Sequence, residues 1–162
     1  MKVREIEESE FEAVAKLRVD AFLAAGMVKD RETPYAQCLR TIPDHAQHGH
    51  VLVAYEDEKL VGTVTIAPPG SPHADIAVAG EWEVRFLAVA VDAWGTGVGD
   101  ALMASCNELA RTAGVHNLAL SVISDNAAAH QLYARLGFIR EPNRDFSPTA
   151  EVLLEVYTRP VN

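Results

Sequence analysis

Three glycines at alternate positions mark the stretch of sequence that is best suited to chemistry. Gly95, Gly97 and Gly99 lie between an apolar segment at 84–91 and a segment with helical periodicity that starts at Val98. Glycines at a strand-to-helix junction let backbone N–H groups approach a ligand, because no Cβ stands in the way. The start of the helix adds unpaired amides and the positive end of its dipole. The pattern therefore predicts an anion site, most often for a phosphate.

Two common nucleotide motifs do not fit these glycines. The fingerprint of dinucleotide-binding folds is G-x-G-x-x-G, whereas residues 95–99 read G-x-G-x-G. The sequence also lacks the G-x-x-x-x-G-K-[ST] loop that binds nucleoside triphosphates. The glycines therefore do not match the dinucleotide fingerprint, and a loop for a nucleoside triphosphate is not supported.

A second segment with chemical potential is predicted to be a helix between Asn126 and Gly137. Asp125 or Asn126 can cap its start, and a glycine commonly ends a helix. Tyr133 follows Asn126 by seven residues, which is about two turns, so both lie on one helix face. His130 lies between them on the same side. For Tyr133 the structural alternative is core packing with a bonded hydroxyl.

Taken together, these two segments resemble the GNAT superfamily of N-acetyltransferases. The resemblance rests on Leu87-Ala88-Val89, on Gly-Val-Gly at 97–99, and on D-N-x-x-A-x-x-L-Y-x-x-x-G-F at 125–138. It covers essentially the whole chain and implies one GNAT domain over residues 1–162. The implied fold is α/β (α+β), a mixed and mostly antiparallel central sheet of about seven strands flanked by about four helices.

The resemblance implies acetyl-coenzyme A (acetyl-CoA) as co-substrate and assigns roles to several residues. In the family, the strand before the glycines splays from its neighbour, and its backbone pairs with the pantetheine arm. That role falls on Leu87, Ala88 and Val89. The pyrophosphate would be held by the backbone amides of Gly95, Thr96, Gly97, Val98, Gly99 and Asp100.

Two further residues follow from the resemblance, and one residue departs from it. Asn126 would contact the donor arm, and Tyr133 would act as general acid toward the leaving thiolate. Trp94 stands where the family carries Gln or Arg, so side-chain help for the phosphates is lost there. Asp100 places a carboxylate nearby, and Arg135 is a cation that could compensate.

The reaction also needs a group that accepts a proton from the acceptor amine. An amine with a pKa near 10 is mostly protonated at pH 7, so a base or a water relay must remove its proton. Glu83 is the first candidate, and Glu81 is the second. An ion pair on the sheet face is an equally strong explanation of Glu83. His116 and His130 are further candidates.

The resulting hypothesis is an N-acetyltransferase that moves an acetyl group from acetyl-CoA to a primary amine of a small molecule or peptide. The amine would attack directly, without a covalent enzyme intermediate. The alternative is a non-catalytic CoA-binding or protein-interaction module of the same fold, which Trp94 favours. The sequence also allows two other reactions, acyl transfer to a hydroxyl group and transfer of a longer acyl group. The segments 25–50 and 67–80 are expected to line the acceptor site, the latter as a lid in a minor hypothesis.

The net charge and the distribution of apolar residues restrict the classes of partner that the protein is expected to bind. The 162 residues carry a net charge of −9, which argues against nucleic acid and is compatible with a cationic amine, although it also simply favours solubility. There is no apolar run that could span a bilayer and no apolar signal-peptide core, so we expect a cytoplasmic protein without a membrane partner. A homodimer stays open. Cys38 and Cys106 are expected to be free thiols.

Several local features of the first half of the chain are also predictable. Ser9 is expected to cap the first long helix, with Glu12 as its reciprocal partner. Thr33 should cap a second helix that Pro43 breaks or kinks. The histidines near it could form a metal site, but exposed positions on a loop are favoured and no metal is expected; they are His45, His48 and His50.

Overall fold

The computed structural model describes all residues, 1–162, and contains eight strands and five α-helices besides short 3-10 turns. The strands are β1 (Lys2–Glu5), β2 (His50–Glu56), β3 (Lys59–Ala67), β4 (Glu81–Val89), β5 (Asn117–Ile123), β6 (Ile139–Arg140), β7 (Phe146–Thr149) and β8 (Val152–Pro160). The helices are α1 (Phe11–Ala24), α2 (Pro34–Arg40), α3 (Ile42–Gln47), α4 (Val98–Thr112) and α5 (Ala127–Arg135). None of them is both long and apolar enough to cross a bilayer.

The chain divides into two compact units. The first comprises Met1–Ala67 and Val84–Cys106, and the second comprises Pro68–Glu83 and Asn107–Asn162. The division falls inside β4, so this strand contributes its first three residues to the second unit and the rest to the first. A single GNAT domain over residues 1–162 stays a prediction.

The first unit contains a sheet in the order β1-β2-β3-β4. β1 pairs antiparallel with β2, and β2 pairs antiparallel with β3 through a tight turn at Asp57. Asp57 has a φ of 53°, which a two-residue hairpin turn requires and which aspartate tolerates better than most residues. The helices α1, α2 and α3 bury their apolar sides in this unit, in clusters that include Val14, Val19, Leu39, Ile42, Val53 and Phe86.

The second unit contains the order β4-β5-β8-β6, with β7 also paired to β8. Residues 81–83 of β4 run parallel to residues 117–119 of β5, whereas β5, β6 and β7 all pair antiparallel with β8. The expected fold class, mixed and mostly antiparallel, is confirmed. The additional strand is β7, which pairs with β8. The additional helix arises because α2 and α3 separate at Thr41.

Predictions of helix ends were mostly correct. The Thr33 hydroxyl accepts a hydrogen bond from the Ala36 amide at 3.1 Å, and Asn126 Oδ1 accepts one from Ala129 at 3.2 Å. Gly137 follows α5 with a φ of 86°. The Ser9 cap is wrong: the capping box there joins Glu7 and Glu10 and opens a short 3-10 turn that precedes α1.

Candidate functional site

The glycine loop has the backbone geometry of an anion cradle. Gly95 and Gly97 have φ values of 76° and 91°, in the left-handed region that favours glycine. A Cβ at either position would meet no atom within 4 Å, so the space beside these backbones is open. α4 begins at Val98, directly after them. The amides of its first turn are therefore suited to bind a phosphate, and this role of the loop stays a prediction.

Trp94, the departure from the family pattern, bonds to the base of this loop. Its indole Nε1 donates a hydrogen bond to the Val89 carbonyl oxygen at 2.8 Å, while the residue stays 47% exposed. Thr96 Oγ1 donates to the Ala93 carbonyl at 2.6 Å. Trp94 thus connects the loop to the end of β4, and Thr96 connects it to the 3-10 turn Val91–Ala93. The indole thus bonds to the protein backbone, whereas a glutamine or arginine at this position would have offered polar atoms to the phosphates.

The strand β4 is irregular at Phe86. This residue has a φ of 56°, which is unusual and strained for an aromatic side chain. Glu83 is buried before the irregularity, and Phe86 and Ala88 are buried after it. Val84, Phe86 and Ala88 are nevertheless buried at alternate positions, as expected for a strand with one face in the core.

The predicted base, Glu83, holds the preceding loop. It is 1% exposed, and its Oε1 accepts hydrogen bonds from the amides of Ile76 at 2.7 Å and Ala77 at 3.0 Å. A carboxylate fixed by two amide donors has a defined orientation, which both a structural role and a base require. The role of Glu83 in proton transfer stays a prediction.

Glu81, the second candidate, forms an ion pair on the same loop. Both of its oxygens accept hydrogen bonds from Arg144 at 2.9 Å, and Oε1 also accepts one from the Val78 amide at 3.2 Å. Arg144 donates in addition to the Ile76 carbonyl at 2.7 Å. The hydrogen bonds that Arg144 donates to Glu81 raise the pKa of Arg144. The end of the 67–80 loop is therefore anchored to the start of β4.

The helix α5 carries Asn126, His130 and Tyr133 as the sequence indicated. The Asn126 side chain caps the helix, and Tyr133 is 8% exposed with its ring edge-on to Phe138 at 5.6 Å between centroids. The core-packing alternative therefore describes at least the ring of Tyr133. Its general-acid role and the donor contact of Asn126 stay predictions.

His130 connects α5 to β8 through its side-chain contacts. Its Nδ1 lies 2.7 Å from the Tyr157 hydroxyl, and its Nε2 lies 3.1 Å from both the Ile123 carbonyl oxygen and Glu155 Oε2. Because these two oxygens can only accept, Nε2 carries a proton that faces them. His116, the other histidine candidate, is exposed, and its amide bonds to the Gly80 carbonyl at 3.0 Å.

The predicted site residues thus fall into two groups. The first unit holds Leu87, Ala88 and Val89 together with the loop 95–100, and the second unit holds Glu83, Asn126 and Tyr133.

The sequence did not predict one buried charged group that lies near β4. Arg18 on α1 is completely buried, and desolvation lowers its pKa to about 9, so it remains a cation at neutral pH. Its guanidinium bonds to His45 and Thr65 and lies 5.3 Å from the centroid of Phe86. The exposed position expected for His45 is wrong, because its ring stacks on Phe86 at 4.6 Å. No local pattern could have revealed this cluster, whose members come from four separate segments.

Comparison with solved structures places this architecture among acetyltransferases. Ribosomal-protein-S18-alanine N-acetyltransferase from Escherichia coli is 20% identical with a TM-score of 0.73, covering 99% of this chain and 94% of that one. PaiA N-acetyltransferase from Thermoplasma acidophilum, in complex with coenzyme A, is 13% identical with a TM-score of 0.71 over 96% of both chains. The yncA structure from Salmonella typhimurium with acetyl-CoA is 20% identical with a TM-score of 0.72, covering 100% and 94%.

At these low identities, the solved structures show only a shared fold. A match to a family model, in contrast, concerns the amino-acid sequence of the chain directly. No curated protein matches the sequence significantly. The family model "Acetyltransferase (GNAT) family", however, matches residues 5–138, which include every element from α1 through α5 and the whole glycine loop. The chain therefore belongs to the GNAT acetyltransferase family.

Proposed function

We propose that the protein is an N-acetyltransferase that moves an acetyl group from acetyl-CoA to a primary amine of a small molecule or peptide. The observation that carries this proposal is the glycine loop, whose two left-handed glycines precede α4 with open space beside them. Family membership supports the reaction class, and the solved relatives that contain coenzyme A or acetyl-CoA support the choice of donor.

The first unit would hold the donor mainly through its backbone. The amides of residues 95–100 would bind the pyrophosphate, and the backbone of Leu87–Val89 would pair with the pantetheine arm. The family resemblance also gives Asn126 a side-chain contact with the donor arm. Acetyl-CoA supplies a thioester, which is an activated acyl group. The protein has to align this group with the amine, and alignment alone can account for several kcal/mol of the barrier.

Two side chains would move protons. The amine nitrogen forms a bond to the acetyl carbon, the bond from that carbon to sulfur breaks, and the nitrogen loses a proton. Tyr133 would give its phenol proton to the leaving sulfur. Glu83 would accept the proton from nitrogen, directly or through water, with its orientation fixed by the amides of Ile76 and Ala77.

Calorimetry with acetyl-CoA, followed by an assay of thiol release over a panel of primary amines, tests the proposal. We expect binding of the donor and amine-dependent release of the thiol. Absence of binding at millimolar donor would refute the proposal. Binding without thiol release from any amine would instead support a CoA-binding or protein-interaction module.

A further inference from the structure

The buried guanidinium of Arg18 has only neutral hydrogen-bond partners. One terminal nitrogen lies 2.7 Å from His45 Nδ1, and the other donates to Thr65 Oγ1 at 2.6 Å. The Arg18 Nε is buried and has no hydrogen-bond partner. Burying a charge without a counterion is costly, so the retention of Arg18 at this position calls for an explanation.

Hydrogen bonding shows that His45 does not share the charge. The Thr41 hydroxyl donates to the Cys38 carbonyl at 2.7 Å, so it can only accept from His45 Nε2 at 3.2 Å. Nε2 therefore carries the proton, and Nδ1 offers its lone pair to Arg18. His45 is neutral, and the positive charge of Arg18 is uncompensated within this series of bonds.

A second guanidinium lies on the same aromatic ring. The guanidinium carbon of Arg85 is 4.5 Å from the centroid of Phe86, and the ring of Tyr35 is 6.2 Å from it. Arg85 also hydrogen-bonds the Tyr35 side chain, which remains 41% exposed. We call Arg18, Arg85, Phe86 and Tyr35 the arginine cluster. It extends from a fully buried cation to a partly exposed one.

The position of the arginine cluster relates it to the acceptor amine. Arg85 and Phe86 directly precede Leu87–Val89, the segment proposed to pair with the donor arm. Tyr35 lies on α2, within the segment 25–50 that the sequence assigns to the acceptor site. The arginine cluster thus combines two residues next to the proposed donor segment with one residue of the expected acceptor segment.

We propose that the acceptor is an amino acid, an amine with a carboxylate a few atoms from its nitrogen, and that the arginine cluster binds this carboxylate. The inference rests on the proposed acetyltransferase function. Arg85 and Tyr35 would contact the carboxylate at the exposed edge, and Arg18 would attract it through its field, which the low-polarity surroundings of Phe86 screen weakly.

The same cations would assist the chemistry. A positive field disfavours a second positive charge, so it shifts the amine of the acceptor toward its neutral form, which is the form that attacks the thioester. Simple diamines, which the net charge of −9 would attract from a distance, would be repelled at the cluster itself. The positive charge of the arginine cluster is thus opposite in sign to the net charge of the protein.

Matched pairs of acceptors test this inference. We would compare L-phenylalanine with phenethylamine and L-lysine with cadaverine, measuring thiol release from acetyl-CoA. We expect the amino acid of each pair to have at least an about tenfold higher kcat/KM, the scale of one hydrogen bond to a charged group. Equal or faster turnover of the decarboxylated amines would overturn the inference and leave the proposed function intact.

A variant and its control separate recognition from folding. Arg85→Gln should lower kcat/KM for the amino acids by about tenfold or more and leave the decarboxylated amines unchanged. Calorimetry with N-acetyl-L-phenylalanine in the absence of donor should show weaker binding in the same variant. Arg111→Gln, at an exposed arginine near the end of α4 that is paired with Glu108, should change neither. An equal effect of Arg85→Gln on both members of each pair would overturn the inference. Failure to bind acetyl-CoA would instead overturn the proposed function itself.

Discussion

Substitution of Gly97 by alanine tests whether the glycine loop presents its amides to the phosphates of the donor. Gly97 has a φ of 91°, which alanine adopts only under strain, while a Cβ there would meet no atom within 4 Å. The cost of Gly97→Ala is therefore conformational rather than steric. Because the loop is exposed, we expect it to relieve the strain by rotating, and this turns the amides away from the ligand.

The size of the effect follows from the bonds that rotation removes. A left-handed alanine costs roughly 1–2 kcal/mol, and the loop escapes that cost by rotating. Loss of one hydrogen bond to a charged phosphate costs about 1.5–3 kcal/mol. Calorimetry should then show the Kd for acetyl-CoA rising about tenfold to a hundredfold.

Gly70→Ala is the matched control for this variant. Gly70 has a φ of 87° and equally open surroundings, but it lies in the 67–80 loop, away from residues 95–100 in the sequence. Its substitution should affect the free energy of unfolding similarly and leave the Kd unchanged. An unchanged Kd in Gly97→Ala would refute the assignment of the loop to the donor phosphates.

Three further results are expected. Tyr133→Phe should lower kcat about a hundredfold or more, the range of general acid catalysis, with little change in the Kd for acetyl-CoA; an unchanged kcat would remove Tyr133 from that role. Trp94→Phe removes the bond to the Val89 carbonyl and should lower the free energy of unfolding by about 0.5–1.5 kcal/mol in urea titrations. Hydrogen bonds from Arg4 lower the pKa of Glu10 to about 2, so the contribution of Glu10 to stability is complete above its unfolded pKa and is lost as the pH falls toward 2. Glu10→Gln should flatten the urea midpoint against pH in that window, and a slope like that of the wild type would contradict this.

Short-range signals allowed most of the fold to be predicted. The caps at Thr33 and Asn126 each depend on a bond to an amide three residues away, so they can be read from the sequence. The strand β7 escaped prediction because its pairing with β8 outweighs the local preference of Ser147 and Pro148 for turns. Residues that favour turns are compatible with a short strand when a partner strand supplies the hydrogen bonds.

The candidate site was predictable where it follows a motif, and it was missed where it depends on distant contacts. The glycine loop and the Asn126–Tyr133 spacing are motifs. The buried position of Arg18 depends on bonds to His45 and Thr65, which are 27 and 47 residues away in the sequence. An arginine in an amphipathic helix normally predicts a solvated face, so only the three-dimensional structure identifies this one as buried.

The bond between Trp94 and Val89 has a practical consequence for spectroscopy. The chain has only two tryptophans, and the 47% exposed indole of Trp94 belongs to the segment that joins β4 to the glycine loop. A ligand that covers this loop would remove water from that indole and change its fluorescence emission. The protein would thus carry an intrinsic optical reporter of occupancy, and the Trp94→Phe variant, which keeps Trp82, would supply the background signal.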